Sequence, residues 1–439
     1  MAGYGNLTKI PELRKRLLFS LLILAVYRVM IFVTVPGVNR AVMKQIMSQA
    51  SGSLLGMFNM FSGGALMRFS IFALGIMPYI SASIIMQLLT IVLPTLEALK
   101  KEGAGGQKKI TQYTRYGTVV LATFQALGIA IALEAQPGLV IDPSFAFRMN
   151  TVITLVTGTM FLMWVGEQIT ERGIGNGMSL IISLGIVSSL PTAMGMIFQQ
   201  LNLDSQNPGQ MNFSTVAVLI GIFVMVTIAT ILIIQGHRRI PLQYARRVIG
   251  NREAQGGTSY IPLKINYAGV IPVIFASSLL MFPATLAGFL GRGTWFGDMA
   301  ASISPGSALY MVLFLLLIVF FTYFWTATQF RPDQIATDMK KNGAFVPGVR
   351  QGKPTQDYLE STMNKITLLG AVFLAGIAIL PSILGSIMAV PQAISYFFGG
   401  TALLILVGVV LDTMKQVESH LLMKRYEGFM SRGRVRGRD

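Results

Sequence analysis

Apolar runs long enough to cross a bilayer recur ten times along this chain, separated by polar connections. They predict helical spans at roughly residues 17–35, 71–93, 113–133, 152–169, 178–198, 213–234, 267–290, 308–329, 366–388 and 392–414. About 20 apolar residues rise about 30 Å as an α-helix, the thickness of a hydrocarbon core. One piece breaks the pattern. The run Leu54, Leu55, Gly56, Met57, Phe58, Asn59, Met60, Phe61 is apolar yet too short to span, and Gly52, Gly63 and Gly64 bracket it. Such a segment lies in the interface or re-enters the protein interior. Two readings stand: an interfacial outer helix, or a short movable helix that blocks a pore from outside.

Charge decides the orientation. The chain holds 35 Lys and Arg residues against 18 Asp and Glu. Arg40, Lys44, Arg68, Arg148 and Arg292 fall in odd-numbered connections, and Arg28 lies inside the first span. All the others lie in the N-terminal segment, the even-numbered connections, the span edges beside them, or the C-terminal tail. The excess of positive charge on one side puts both termini in the cytoplasm. The first apolar run is full length and lacks a small-residue cleavage site, so it reads as a retained span rather than a cleaved leader.

Two of these cytoplasmic connections are long and basic. Residues 235–266 carry Arg238, Arg239, Arg246 and Arg247, and residues 330–365 carry Lys340, Lys341 and Arg350. Long loops are uncommon unless they are functional. On charge alone they either set topology and bind anionic lipid or dock a large partner, one containing RNA phosphate among the candidates.

The two halves of the chain echo each other. Five spans per half is an odd number, so a duplicated half inserts upside down, as inverted repeats do. The second span contains Gly75-Ile76-Met77-Pro78, and the seventh contains Gly269-Val270-Ile271-Pro272. That recurrence favours internal symmetry, and dividing the spans five and five gives halves at 1–205 and 206–439.

Catalytic and metal chemistry find few candidates. With no cysteine and two histidines, the sequence excludes disulfides and thiolate sites and is too poor for an imidazole metal cluster. Neither a Walker motif, nor His-Glu-x-x-His, nor Gly-x-Ser-x-Gly occurs, and the sequence offers no cofactor site or catalytic residue. The run Gly173-Ile174-Gly175-Asn176-Gly177 lacks the flanks of a phosphate loop and reads as a tight turn between two helices. Glu167 and Glu171 are expected at the membrane interface, paired with Arg172, and Arg28 is expected to snorkel outward. Gln87 and Asn266 are expected to make interhelical hydrogen bonds. Composition and topology alone favour a secondary transporter of small solutes. The lack of an isolated midplane carboxylate and the two basic loops argue against it.

Five strings carry a resemblance: IFALGIMPYISASIIMQLL at 71–89, WVGEQITERGIGNGMSLII at 164–182, IPLKINYAGVIPVIFASS at 261–278, KKNGAFVPGVR at 340–350 and GGTALLILVGVVLD at 399–412. In this order and over nearly the whole chain they closely resemble the bacterial SecY family, large subunits of the protein-conducting channel. The resemblance implies an all-α integral membrane protein of ten helices in two inverted halves. It implies a constriction of Ile76, Ile80, Ile182, Ile274 and Ile405, and a plug helix over about residues 54–65 built on Leu54, Leu55, Met57, Phe58, Met60 and Phe61. It also implies a lateral gate between the second and third and the seventh and eighth helices, with Gln87 and Asn266 near it. Arg238, Arg239, Arg246, Arg247, Lys340, Lys341 and Arg350 would meet the ribosome or the SecA ATPase. SecE-like and SecG-like small subunits, signal sequences, nascent polypeptides and lipid would be the other partners, in the bacterial plasma membrane. Gln351 stands where the family often has Pro, which predicts a less rigid loop.

Overall fold

The computed structural model describes residues 10–49, 54–200, 213–244, 247–249, 252–254, 258–290, 307–388, 392–398 and 400–432. Gly52, Arg246, Arg292 and the connection at 202–210 lie outside the described residues. The first half runs α1 (Pro11–Met30), α2 (Arg40–Gln49), α3 (Leu54–Phe61), α4 (Met77–Val92), α5 (Pro94–Lys101), α6 (Ala104–Glu134), α7 (Phe145–Arg172) and α8 (Gly177–Gln200). The second runs α9 (Phe213–Gln235), then strands β1 (His237–Tyr244), β2 (Arg247–Ile249), β3 (Arg252–Ala254) and β4 (Thr258–Lys264). It continues through α10 (Ile271–Leu290), α11 (Ala308–Gln329), α12 (Pro332–Lys341), β5 (Ala344–Phe345), α13 (Lys353–Met388), α14 (Gln392–Phe398) and α15 (Thr401–Arg432).

Among the described residues, six helices are long and apolar enough to cross a membrane: α6, α7, α8, α9, α11 and α13. The other four predicted spans fall on α1, α4, α10 and the α14–α15 pair, each shorter, broken or charged at one end. On α9, Val218, Ile220, Val224, Met225, Ile228 and Leu232 are all exposed. A water-facing helix does not carry such a continuous apolar surface, so lipid is the solvent that matches it.

Several boundaries differ from the hydropathy pattern. The second span is helical only from Met77, with Ile76 as its N-cap, because the chain arrives through consecutive turns. Gly75 sits at φ +56°, a left-handed conformation that costs other residues energy, and Pro78 then fits the first helical turn, where its missing N–H loses no bond. The seventh span repeats the device. Gly269 lies at φ +61° and Pro272 is the second residue of α10. Gly-x-x-Pro is therefore a helix-entry unit used once in each half. At its other end α4 meets α5 at a bend of 97°, with Pro94 opening α5.

The two long basic connections are more structured than their composition suggests. β1 pairs antiparallel with β4, Ile240 opposite Ile261, and with β5, Gln243 opposite Phe345. β2 and β3 form a separate hairpin. Ile240, Leu242, Leu263, Met339, Val346 and Leu359 bury a second core beneath the three-stranded sheet. The fold is thus a helical membrane bundle carrying a small β-platform, which the all-α expectation does not include.

Candidate conducting path

Ile76, Ile80, Ile182, Ile274 and Ile405 are all buried, between 1 and 7% exposed, and all belong to one hydrophobic cluster. They arrive from four helices: Ile76 and Ile80 from the start of α4, Ile182 from α8, Ile274 from α10 and Ile405 from α15. The backbone N–H of Ile80 donates to the Ile76 carbonyl at 3.1 Å, which stacks the two one turn apart. Ile80, Ile182 and Ile274 also line a cavity of about 320 Å³. Polar side chains join them there, among them Ser83, Gln87 and Thr114. The lining thus mixes branched hydrocarbon with groups that bind water.

α3 belongs to the same interior. Phe58, Met60 and Phe61 are buried in the cluster that holds the five isoleucines, and α3 packs on α8 and α14. The segment re-enters the protein and does not lie in the interface. The backbone of Leu54, Leu55 and Met57 is helical, and their side chains lie outside the described residues. After α3, Asn59 Oδ1 accepts the Met67 N–H at 2.8 Å and closes the turn. Farther on, Val35 N donates to Phe69 O at 2.9 Å and Ile71 N to Val33 O at 3.0 Å, pinning the returning chain to the segment just after α1.

α10 packs against both α4 and α6. The polar contact across this seam is slight: Ser278 Oγ donates to Met77 Sδ at 3.5 Å. Gln87 donates to Ser83 on its own helix at 3.2 Å, and Asn266 Nδ2 to the Gly269 carbonyl at 2.8 Å. Both bonds are local rather than interhelical as expected, because each side chain finds an acceptor three or four residues away. Asn266 Oδ1 is buried without a partner. On the α11 side, the Phe275 ring meets Phe321 and Trp325 edge-on, at 5.6 and 5.8 Å between centroids.

The chain matches the SecY family model over residues 70–414. It is 52% identical to the protein translocase subunit SecY of Chlamydia trachomatis serovar D, over all of both chains. It is 47% identical to that of Escherichia coli K12, covering 97% of this chain and 96% of the other. The chain belongs to the SecY family. Accordingly it is a protein-conducting membrane channel and not an enzyme. Solved structures share the fold at low identity. "The structure of a protein conducting channel" superposes with a TM-score of 0.62 at 19% identity, covering 92% of both chains. The Sec61 of a canine ribosome–channel complex gives 0.61 at 16%, also over 92% of both. The SecY fold supplies the ten-helix frame of two inverted halves and the short plug helix into which the elements above fall.

In this SecY-family chain the basic residues collect on the platform. Arg238 and Arg239 on β1, Lys340 and Lys341 at the end of α12, and Arg350 are all exposed. Arg247 opens β2, and Arg246 lies outside the described residues. Because β5 pairs with β1, the two loops form one unit. Gln351 Nε2 donates to the Ala344 carbonyl at 3.3 Å, and Thr355 Oγ1 to the Arg350 carbonyl at 2.7 Å. The side chain at position 351 thus adds a hydrogen bond from the loop to β5.

Three other expectations change. Glu167 pairs with Arg115 of α6 rather than Arg172, through two bonds of 3.0 and 2.7 Å. Arg28 does not snorkel; it turns inward to a backbone carbonyl. The Gly173–Gly177 turn is more than a connection. Ile174 N donates to Ser20 Oγ of α1 at 3.1 Å and Gly175 N to Gln416 Oε1 of α15 at 2.9 Å, tying the first and last helices to one turn.

Proposed function

We propose that unfolded polypeptides pass between the two halves, residues 1–205 and 206–439, through a constriction formed by Ile76, Ile80, Ile182, Ile274 and Ile405. The observation that carries this is the shared cavity, where isoleucines from α4, α8 and α10 meet beside the seam between α4 and α10. A collar of branched hydrocarbon dewets when empty and so resists ions, and it offers no hydrogen bond to hold a passing chain. α3 closes the path through Phe58, Met60 and Phe61 and shifts when a signal sequence enters. The seam between α4 and α6 on one side and α10 and α11 on the other parts sideways to release apolar segments into lipid. Gln87 and Asn266 lie at its polar end.

The pore is passive. Its work comes from the SecA ATPase or from the elongating ribosome, docked on the basic platform through Arg238, Arg239, Arg246, Arg247, Lys340, Lys341 and Arg350. The ribosome in the canine complex supports this assignment. Both termini face the bacterial cytoplasm, as the positive charge requires, and SecE-like and SecG-like subunits cover part of the lipid-facing surface.

Replacing Ile182 and Ile274 together with Gly removes branched side chains from two walls of the collar. The double variant is expected to raise ion conductance in planar bilayers severalfold or more. Conductance equal to that of the unmodified channel would rule out the collar.

A further inference from the structure

Arg28 is the basic residue inside the first span, and its guanidinium faces the protein. Nη1 donates to the carbonyl of Gly63 at 2.7 Å. Next to it Tyr27, 1% exposed, directs its hydroxyl to the carbonyl of Ser62 at 3.4 Å. These carbonyls are the first two beyond α3. The chain leaves that helix through Gly63 at φ +68° and Gly64 at φ +84°, with Ser62 N donating to Phe58 O and Gly64 N to Asn59 O. Carbonyls at the end of a helix are acceptors without an intrahelical partner and carry partial negative charge. A guanidinium supplies a strong, charge-assisted donor for them.

α8 holds the same turn from the opposite side. Gly185 lies so near that a Cβ there would land on the carbonyl oxygen of Phe61, and one on Gly63 would meet Ser188 Oγ at 3.1 Å and the Gly185 Cα at 3.2 Å. Beyond the turn a second arginine grips the outer continuation of α1: the Arg68 guanidinium stacks on the Phe32 ring, 4.4 Å from its centroid. The exit from α3 is thus clamped between α1 and α8 by one charged donor and one missing side chain.

The geometry points to Arg28 as the positioning residue that latches α3 in its blocking seat, by holding the Ser62–Gly63 turn against Gly185. This rests on α3 being the plug. The returning chain at Phe69 and Ile71 stays pinned to Val35 and Val33, so loss of the Arg28 bond frees α3 while the segment leading into α4 keeps its anchors.

The chain has no cysteine, so a single Met60→Cys thiol, at a position only 9% exposed, reports the seat directly. The full chain is reconstituted into proteoliposomes, and its labelling by a water-soluble maleimide is timed alongside ion leak. In that background Arg28→Leu is expected to speed labelling about tenfold, the effect of losing one charge-assisted hydrogen bond. Arg28→Lys, which keeps the charge without the fork, should recover part of the protection. Gly185→Ala disturbs the seat from α8 and should also speed labelling, so it and Arg28→Lys carry the test if Arg28→Leu does not fold. Unchanged labelling in every folded variant would overturn the latch. Faster labelling with raised leak supports latch and plug together. Faster labelling with no rise in leak keeps the latch and overturns the plug assignment on which it rests.

Discussion

At the scale of single residues, charge inside this membrane protein is placed by partner rather than by depth. Glu167 is 17% exposed at its side chain and meets the Arg115 fork from the neighbouring helix. Arg115→Met leaves that carboxylate half-buried and unpaired, and is expected to cost about 1–2 kcal/mol, less than for a fully buried pair because Arg115 itself is 45% exposed. A fall in the thermal unfolding midpoint in lipid nanodiscs checks it; an unchanged midpoint would mean that water already screens the pair. The sequence shows that Glu167 needs a cation but not which one, since Arg172 is near in sequence while Arg115 is near only after α6 and α7 have packed. Arg28 departs from its expected snorkelling for the same reason. Helical rise says how far a side chain stands from the interface, but nothing about a backbone carbonyl that a distant turn delivers. The isoleucines are the opposite case: hydropathy does not tell them from lipid-facing residues such as Ile220 and Ile228, and they are picked out only through the family strings.

At the scale of elements, the entries to α4 and α10 show how glycine and proline set a boundary that hydropathy misses. The apolar run begins at residue 71, yet the helix waits for Met77, because Gly75 turns the chain first. Gly75→Ala would place its Cβ 3.5 Å from that of Ser62, an ordinary contact, and Gly269→Ala would meet nothing within 4 Å. Both substitutions therefore cost only the backbone strain of a positive φ, about 1–2 kcal/mol each. Similar falls in unfolding midpoint are expected for the two, and a large difference would contradict the idea that one entry device serves both halves. The β-platform escapes the sequence pattern, because its two longer strands each carry a proline and little apolar length, HRRIPLQY in β1 and TSYIPLK in β4, and the other three are two or three residues long. Once folded, β1 does show inward alternation, Ile240 and Leu242 buried between exposed neighbours. Gln351 makes a side-chain bond to the Ala344 carbonyl that only the fold reveals.

At the scale of the whole molecule, number of spans and repeat symmetry are legible in hydrophobic length and the recurrence of Gly-x-x-Pro, and the placement of Lys and Arg supplies the expected orientation. Those patterns do not supply the long-range ties: the Gly173–Gly177 turn fastened to Ser20 of α1 and Gln416 of α15, and the two basic loops fused through β1 and β5. In the proposed function the weakly polar seam at α4 and α10 is where the frame opens, and the platform continuous with α10 and α13 is where a partner docks. In the proposed path a translocating chain runs between those halves past Ile182. The decisive experiment puts a photoreactive residue in place of Ile182 and stalls a secretory polypeptide midway across the membrane. An adduct between position 182 and the stalled chain is expected, and it should disappear when the signal sequence is disabled. Adducts formed only from the exposed loops near Arg239 or Arg350, with none from position 182, would contradict the proposed path.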